Sequence, residues 1–251
     1  MRLSYKEEND TLNQAIIFAV KRHARQVRKG STRPYILHPL AVMNILDSMG
    51  ADNDLLIAGV LHDVLEDTDT TIVELANNFG AAVATLVSSH TEDKSKSWAE
   101  RKSDTIVELQ EAPRRVKMLV MADVVANSRD MLAGVLREGE RFWNRFNATK
   151  EEKAWYYSEL QDALYELQED EATRQVYWEM VNLYKDIFVE FYYDDVEQCL
   201  YQVSVHGVVF RLTRKNPDWQ SYEDKLPESV VQVPRLWAER LEDDWYEQYR
   251  K

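Results

Sequence analysis

Apolar residues recur at helical spacing along the chain up to about residue 187. Leu12, Ala15, Ile16 and Ala19 keep the i, i+3, i+4, i+7 spacing of one buried stripe. His23 continues that face, and Gly30 is placed to stop the helix. Pro34 and Pro39 punctuate a loop, and Pro39 suits the first turn of a helix running to about Met49. Asp52, Asn53 and Asp54 offer N-caps for a helix over about 55–66. Thr71 with Glu74 reads as a capping box, and Gly80 ends that helix. Further helices are expected over about 81–90, 98–109, 116–132, 150–167 and 172–187.

Near residue 188 the pattern changes. The runs 188–193, 199–206 and 208–213 are rich in aromatic and β-branched residues, and Gly207 separates the last two. They read as a small antiparallel meander. Residues 216–234 look irregular, and Pro234 opens a final amphipathic helix carrying Leu236, Trp237, Leu241 and Trp245. The expected fold is mainly α: a helical domain over 1–187, then a small β-meander plus helix over 188–251. Trp219, Tyr222, Trp237 and Trp245 would suit a lid or a homodimer interface.

Composition narrows the function. The formal net charge of -13 makes a nucleic-acid backbone a poor partner. A small anionic ligand needs a local cluster of cations, or a metal, to override that field. Every apolar stretch is cut by charge within about ten residues, too soon for a membrane span. Met1 to Lys6 lack the basic-then-apolar order of a signal peptide. A single cysteine, Cys199, allows no disulfide framework and points to the cytoplasm.

The informative stretch is Leu61-His62-Asp63-Val-Leu-Glu66-Asp67-Thr68. On a helix Glu66 stacks over His62 and Asp67 over Asp63, while His62 and Asp63 are one step apart and can share an ion. Imidazole nitrogen with carboxylate oxygen suits manganese, iron or zinc. Glu66 and Asp67, one turn on, stand where a general base for an attacking water belongs. A lone His-Asp pair is more often a core histidine beside a solvated carboxylate. Here the preceding run, 55–61, is strongly apolar, and carboxylates at the end of a buried helix need neutralising. His38 begins another helix, and Asp123 with Asn127 four residues later lies in an apolar one. Each has a structural explanation as a cap or a core polar group, and periodicity alone does not bring them to His62.

The ordered set His38, His62-Asp63, Asp123 resembles the signature of the HD superfamily of all-helical, metal-dependent phosphohydrolases. The words around it (23–29, 33–40, 61–70) are similar to the hydrolase domain of the RelA/SpoT family. The stretch 91–102 is similar to the small stand-alone alarmone hydrolases of the metazoan SpoT-homologue type. The resemblance covers roughly 10–170 and implies removal of the 3′-pyrophosphate from guanosine tetra- or pentaphosphate, normally with one Mn2+. It implies His38, His62, Asp63 and Asp123 as metal ligands and Glu66 and Asp67 as the residues that orient and deprotonate water. Arg28 would neutralise the pyrophosphate, Asn127 would hold the ligand, and Lys29, Lys94, Arg101 and Lys102 would contact phosphates.

Elementary chemistry agrees, since a planar guanidinium next to a second cation is a good phosphate donor set. The chain departs from the family pattern at Val120, where a lysine is usual, and at the apolar pair Val124-Val125. No nucleotide-transfer domain is expected in the remaining length. The aromatic groups around Trp143-Phe146 and Trp155-Tyr157 read as core packing, with a tyrosine available to stack on a base. Two other readings stand beside this one: hydrolysis of another phosphorylated nucleotide (an adenosine alarmone, NADPH), and an alarmone-binding module without turnover.

Overall fold

Helix starts in this chain are written in short polar side chains. In the computed structural model, which describes residues 5–250 with side chains from residue 10 onward, Asp52 accepts from the Leu55 N–H and begins α3 (Asn53–Leu61). Asp170 does the same for α10 (Glu171–Phe188). Ser97 and Thr149 form complete capping boxes with Glu100 and Glu152 at the heads of α7 (Trp98–Gln110) and α9 (Lys150–Ala163). Thr71 caps α5 (Ile72–Phe79), but only half of the expected box forms, because the Glu74 carboxylate turns to Arg22 of α1 (Tyr5–Arg22). The N-terminal stretch read for a signal peptide lies partly in residues 1–4, outside the described residues.

Three helices carry the centre. α2 (Leu37–Ser48), α3 and α8 (Arg114–Glu138) bury apolar faces against one another. α3 is buried along nearly its whole length, from Leu55 through Leu61, and Gly59 lets Leu46 of α2 approach closely. α1, α4 (Val64–Asp67), α5 and α6 (Ala81–Ser88) flank them, and α9 and α10 close the other side. Among the described residues no helix is long and apolar enough to cross a membrane.

Several expected boundaries move. The first helix ends at Arg22, not at Gly30. The chain there leaves the helix to pair with itself: Arg28 N–H bonds the Arg33 carbonyl, Tyr35 N–H bonds the Gln26 carbonyl, and Val27 bridges Pro34. Gly30, at φ +71°, is therefore a turn glycine at the tip of a loop. The helix expected over 55–66 breaks at His62-Asp63 into α3 and α4. α8 is longer than 116–132 because Pro113 and Gly139 (φ +60°), not internal residues, set its limits. Beyond it, Gly139–Arg145 and Tyr165–Gln168 are 3₁₀ turns, so the helix expected over 150–167 stops at Ala163.

The C-terminal part is a five-stranded antiparallel sheet in the order β4-β3-β2-β1-β5. The meander strands are β1 (Val189–Asp194), β2 (Cys199–Ser204) and β3 (Val209–Thr213). The segment expected to be irregular supplies β4 (Asn216–Tyr222) and β5 (Val231–Val233). Both are edge strands, which tolerate the polar residues and Pro217 that hid them from periodicity. α11 (Arg235–Tyr249) lays Ala238 and Trp245 on Phe191, Leu200 and Leu212, a small core distinct from the main one.

Candidate functional site

Three pieces of backbone deliver the sequence-predicted ligand set to one point. His38 comes from the first turn of α2, His62 and Asp63 from the break between α3 and α4, and Asp123 from the middle of α8. His38 Nε2 lies 3.0 Å from Asp123 Oδ1 and 3.7 Å from Asp63 Oδ2. His62 Nε2 lies 2.9 Å from Asp63 Oδ2 and 3.7 Å from Asp123 Oδ1. Ligand atoms of His38, His62 and Asp123 all fall within 4.8 Å of one another.

The hydrogen bonds test whether this cluster suits a cation. His62 Nδ1 donates to the Gly59 carbonyl at 2.8 Å, leaving Nε2 as a lone pair in the neutral ring. That Nε2 is fully buried and makes no hydrogen bond, yet it faces two carboxylates. An acceptor aimed at acceptors is stable only around a proton or a metal. Without the metal the proton takes that place. Burial alone would lower the His62 pKa, but Asp63 and Asp123 overcome it and raise it to about 9. Burial would likewise raise both carboxyls, and the imidazoles beside them hold Asp63 and Asp123 well below the usual carboxylate range. The donor set therefore fits a divalent ion.

A second layer ties the cluster to the groups expected to act on substrate. Tyr35 donates to Asp63 Oδ2 at 2.6 Å and lies 3.4 Å from Asp67 Oδ2. Burial and the Asp63 charge push its hydroxyl far above the ordinary range, so it remains a donor. Asn127 donates to Asp123 Oδ1 at 2.7 Å and accepts from Arg28 at 2.9 Å, while Asp130 also holds Arg28. Lys94 bonds the Glu66 carbonyl and Asp67 Oδ1, at 2.7 and 3.1 Å. Burial raises the Glu66 pKa against the opposing pull of Lys94.

All of these border a cleft of about 1060 Å³, except Lys94, which lies against Glu66 and Asp67 instead, and His62, which is buried behind its neighbours. Arg28, Lys29, Arg101 and Lys102 line it, as do Arg145 and Lys153, which sequence reasoning did not single out. Glu92 pairs with both Arg101 and Lys102. Lys153 has no carboxylate partner among the described residues and sits 4.2 Å from the Phe146 ring centre. Burial, with Lys102 and Lys29 nearby, lowers its pKa to about 8. Tyr156 and Tyr157 are both core and cleft wall, and the half-buried Phe146 packs against that core and lines the cleft. Val120 and Val124 leave an apolar patch where the family pattern has a cation. Two residues beside the cluster, Tyr35 and His90, also escaped the sequence reading. Tyr35 stands three positions before His38, a spacing that signals the shared turn.

The model of the HD domain matches residues 15–154. The chain is similar to the guanosine-3′,5′-bis(diphosphate) 3′-pyrophosphohydrolase MESH1 of Danio rerio, with 38% identity over 123 residues, 48% of this chain and 68% of that protein. The human protein of the same name gives 37% identity, with 48% and 69% covered. An Aquifex aeolicus guanosine-3′,5′-bis(diphosphate) 3′-pyrophosphohydrolase is 39% identical over 141 residues, 55% of this chain but 20% of its own length. Among solved structures, a metazoan orthologue of SpoT that hydrolyses ppGpp superposes with a TM-score of 0.59 at 25% identity. It covers 74% of this chain and 97% of its own.

Proposed function

The chain belongs to the HD domain family, and on that premise we propose that it removes the 3′-pyrophosphate from guanosine tetra- or pentaphosphate, giving GDP or GTP and pyrophosphate. One observation carries the reading. A cation-ready His/Asp cluster, two carboxylates poised beside it and a wall of arginines and lysines all face one cleft. The relatives named for this reaction support it. We assign the reaction to residues 1–187, the sheet and α11 to an appendage, and the whole to the cytoplasm.

His38, His62, Asp63 and Asp123 would hold the divalent ion, with Mn2+ as the working choice. Bound there, the ion supplies positive charge for phosphoryl oxygens and lowers the pKa of water. Glu66, its basicity raised by burial, takes the water proton. Asp67, held between Lys94 and Tyr35, orients that water. Arg28, its guanidinium held in place through Nε and Nη2 by Asn127 and Asp130, meets the pyrophosphate with its remaining edge. Lys29, Arg101, Lys102 and Lys153 face the remaining phosphate charge. The direct test is product identification by liquid chromatography. Mn2+-loaded protein is expected to yield GDP and pyrophosphate from guanosine tetraphosphate. Absence of turnover with metal demonstrably bound overturns the proposal, and faster cleavage of another phosphorylated nucleotide reassigns the substrate.

Lys153 gives a pH signature. Its free-state pKa of about 8 means that it is half deprotonated at that pH and loses the rest of its charge above it, whereas substrate phosphates are already ionised there, with a second pKa of about 6. KM is therefore expected to climb above pH 8 in the native chain. Lys153→Arg, whose charge persists, should flatten the climb; an unchanged profile removes Lys153 from the binding wall.

A further inference from the structure

His90 follows α6 and carries an imidazole that none of the expected roles uses. Its ring lies 5.3 Å from that of His62 at an interplanar angle of 71°, nearly repeating the 5.2 Å and 68° of His38. Its Nε2 is 3.6 Å from Asp123 Oδ2, whereas His38 and His62 approach the other oxygen, Oδ1. The side chain is 15% exposed and borders the cleft. Neither α6 nor the loop after it gives the ring a hydrogen bond; it is held by the cluster it faces.

Spacing decides what such a ring does. Two donors about 2.1 Å from one ion and 90–120° apart stand about 3.0–3.6 Å from each other. The imidazole–carboxylate separations around His38 and His62 run from 2.9 to 3.7 Å, and that of His90 falls among them. Asp123 thus presents Oδ1 to His38 and His62 and Oδ2 to His90, so a single carboxylate is the partner of all three rings.

We propose that His90 is a further ligand of the same divalent ion, making the donor set three imidazoles and two carboxylates. A third nitrogen moves the site's preference from manganese toward zinc or cobalt. The inference rests on the metal reading of the cluster, and the two fail differently.

The test is calorimetric titration of the metal-free full chain with Mn2+ and with Zn2+, in the native protein, His90→Ala and His90→Phe. The phenylalanine keeps the ring volume without the donor, and melting in EDTA shows that the variants are folded. One ion per chain is expected throughout. Zn2+ affinity should fall in both variants by more than the roughly 10–100-fold that loss of an outer partner of a metal ligand produces, while Mn2+ affinity moves much less. The visible absorption of the Co2+-loaded protein should strengthen as a ligand is lost. Equal Zn2+ affinity in all three proteins overturns the inference. So does a native chain that binds two ions and loses one in the variants, because His90 then belongs to a separate site. A native chain that binds neither ion overturns the metal reading itself.

Discussion

Asp63→Asn is expected to abolish divalent-metal binding and turnover together while the helices stay folded. The Asp63 carboxylate is shared by His62, His38 and the Tyr35 hydroxyl, at 2.9, 3.7 and 2.6 Å. An amide offers half the acceptors and presents N–H groups to the cation. Because the ion is asked to bring the pKa of water from about 15.7 toward about 7, its loss should cost about 10⁴-fold or more in kcat/KM. Electrostatics supplies an independent readout. His62 is raised above its ordinary 6.5 to about 9. A base whose pKa is higher folded than unfolded contributes stability that is complete below pH 6.5 and lost as pH rises to 9. The metal-free native chain should therefore melt at progressively lower temperature across that window. Asp63→Asn removes the largest charge that raises His62, so its melting temperature should stay nearly level there. Native metal affinity in Asp63→Asn sinks the ligand assignment; a native melting profile sinks the pairing.

Helix positions were legible wherever a local signal fixed them. The cap at Asp52 was readable because it is complete within three residues of sequence; those at Ser97, Thr149 and Asp170 are equally local, although the helices they begin were placed by periodicity alone. Boundaries failed where distant partners decide. The first helix gives way at Arg22 because residues 26–28 find backbone partners at 33–35, and the apolar stripe before it carries no trace of that pairing. The Glu74 half of the α5 capping box is lost to Arg22, 52 residues away. β4 and β5 are edge strands whose identity comes from β3 and β1, not from their own alternation.

The same division runs through the site. His62, Asp63, Glu66 and Asp67 are neighbours in sequence, so their chemistry was readable from spacing. Reading them as one continuous helix was wrong in detail, and the break after Leu61 is where the two ligands lie. His38 and Asp123 join them in sequence only through the motif order of the HD superfamily; the packing of α2 and α8 on α3 is what physically joins them. Lys153 and His90 carried no motif. Lys153 matters because burial and two other lysines depress its pKa, and His90 because α6 ends beside Asp123. Neither fact exists before the chain is folded. Lys94 shows the converse: a cation in a suggestive motif whose partners turn out to be Glu66 and Asp67.

Glu66 and Asp67 differ in setting, and that difference predicts different kinetics for two conservative variants. Glu66 is half-buried, and burial raises its pKa although Lys94 stands 3.6 Å away. Asp67 is more exposed and is engaged from both sides, by Lys94 at 3.1 Å and Tyr35 at 3.4 Å. A base is more effective as its pKa approaches the working pH, so proton abstraction falls to Glu66 and positioning to Asp67. Glu66→Gln should lower kcat by about 10²–10⁴-fold, the range for a lost general base, with KM and metal affinity near native. It should also erase the acidic limb of the rate profile, which in the native chain lies above the ordinary glutamate range. Asp67→Asn should keep that limb, because Glu66 remains, and lower kcat less. It also frees Lys94, so its KM should move where that of Glu66→Gln does not. If the acidic limb survives in Glu66→Gln and vanishes in Asp67→Asn, the two roles are exchanged. If both variants lose affinity and rate in equal measure, neither carboxylate acts on water and the cluster is a binding site.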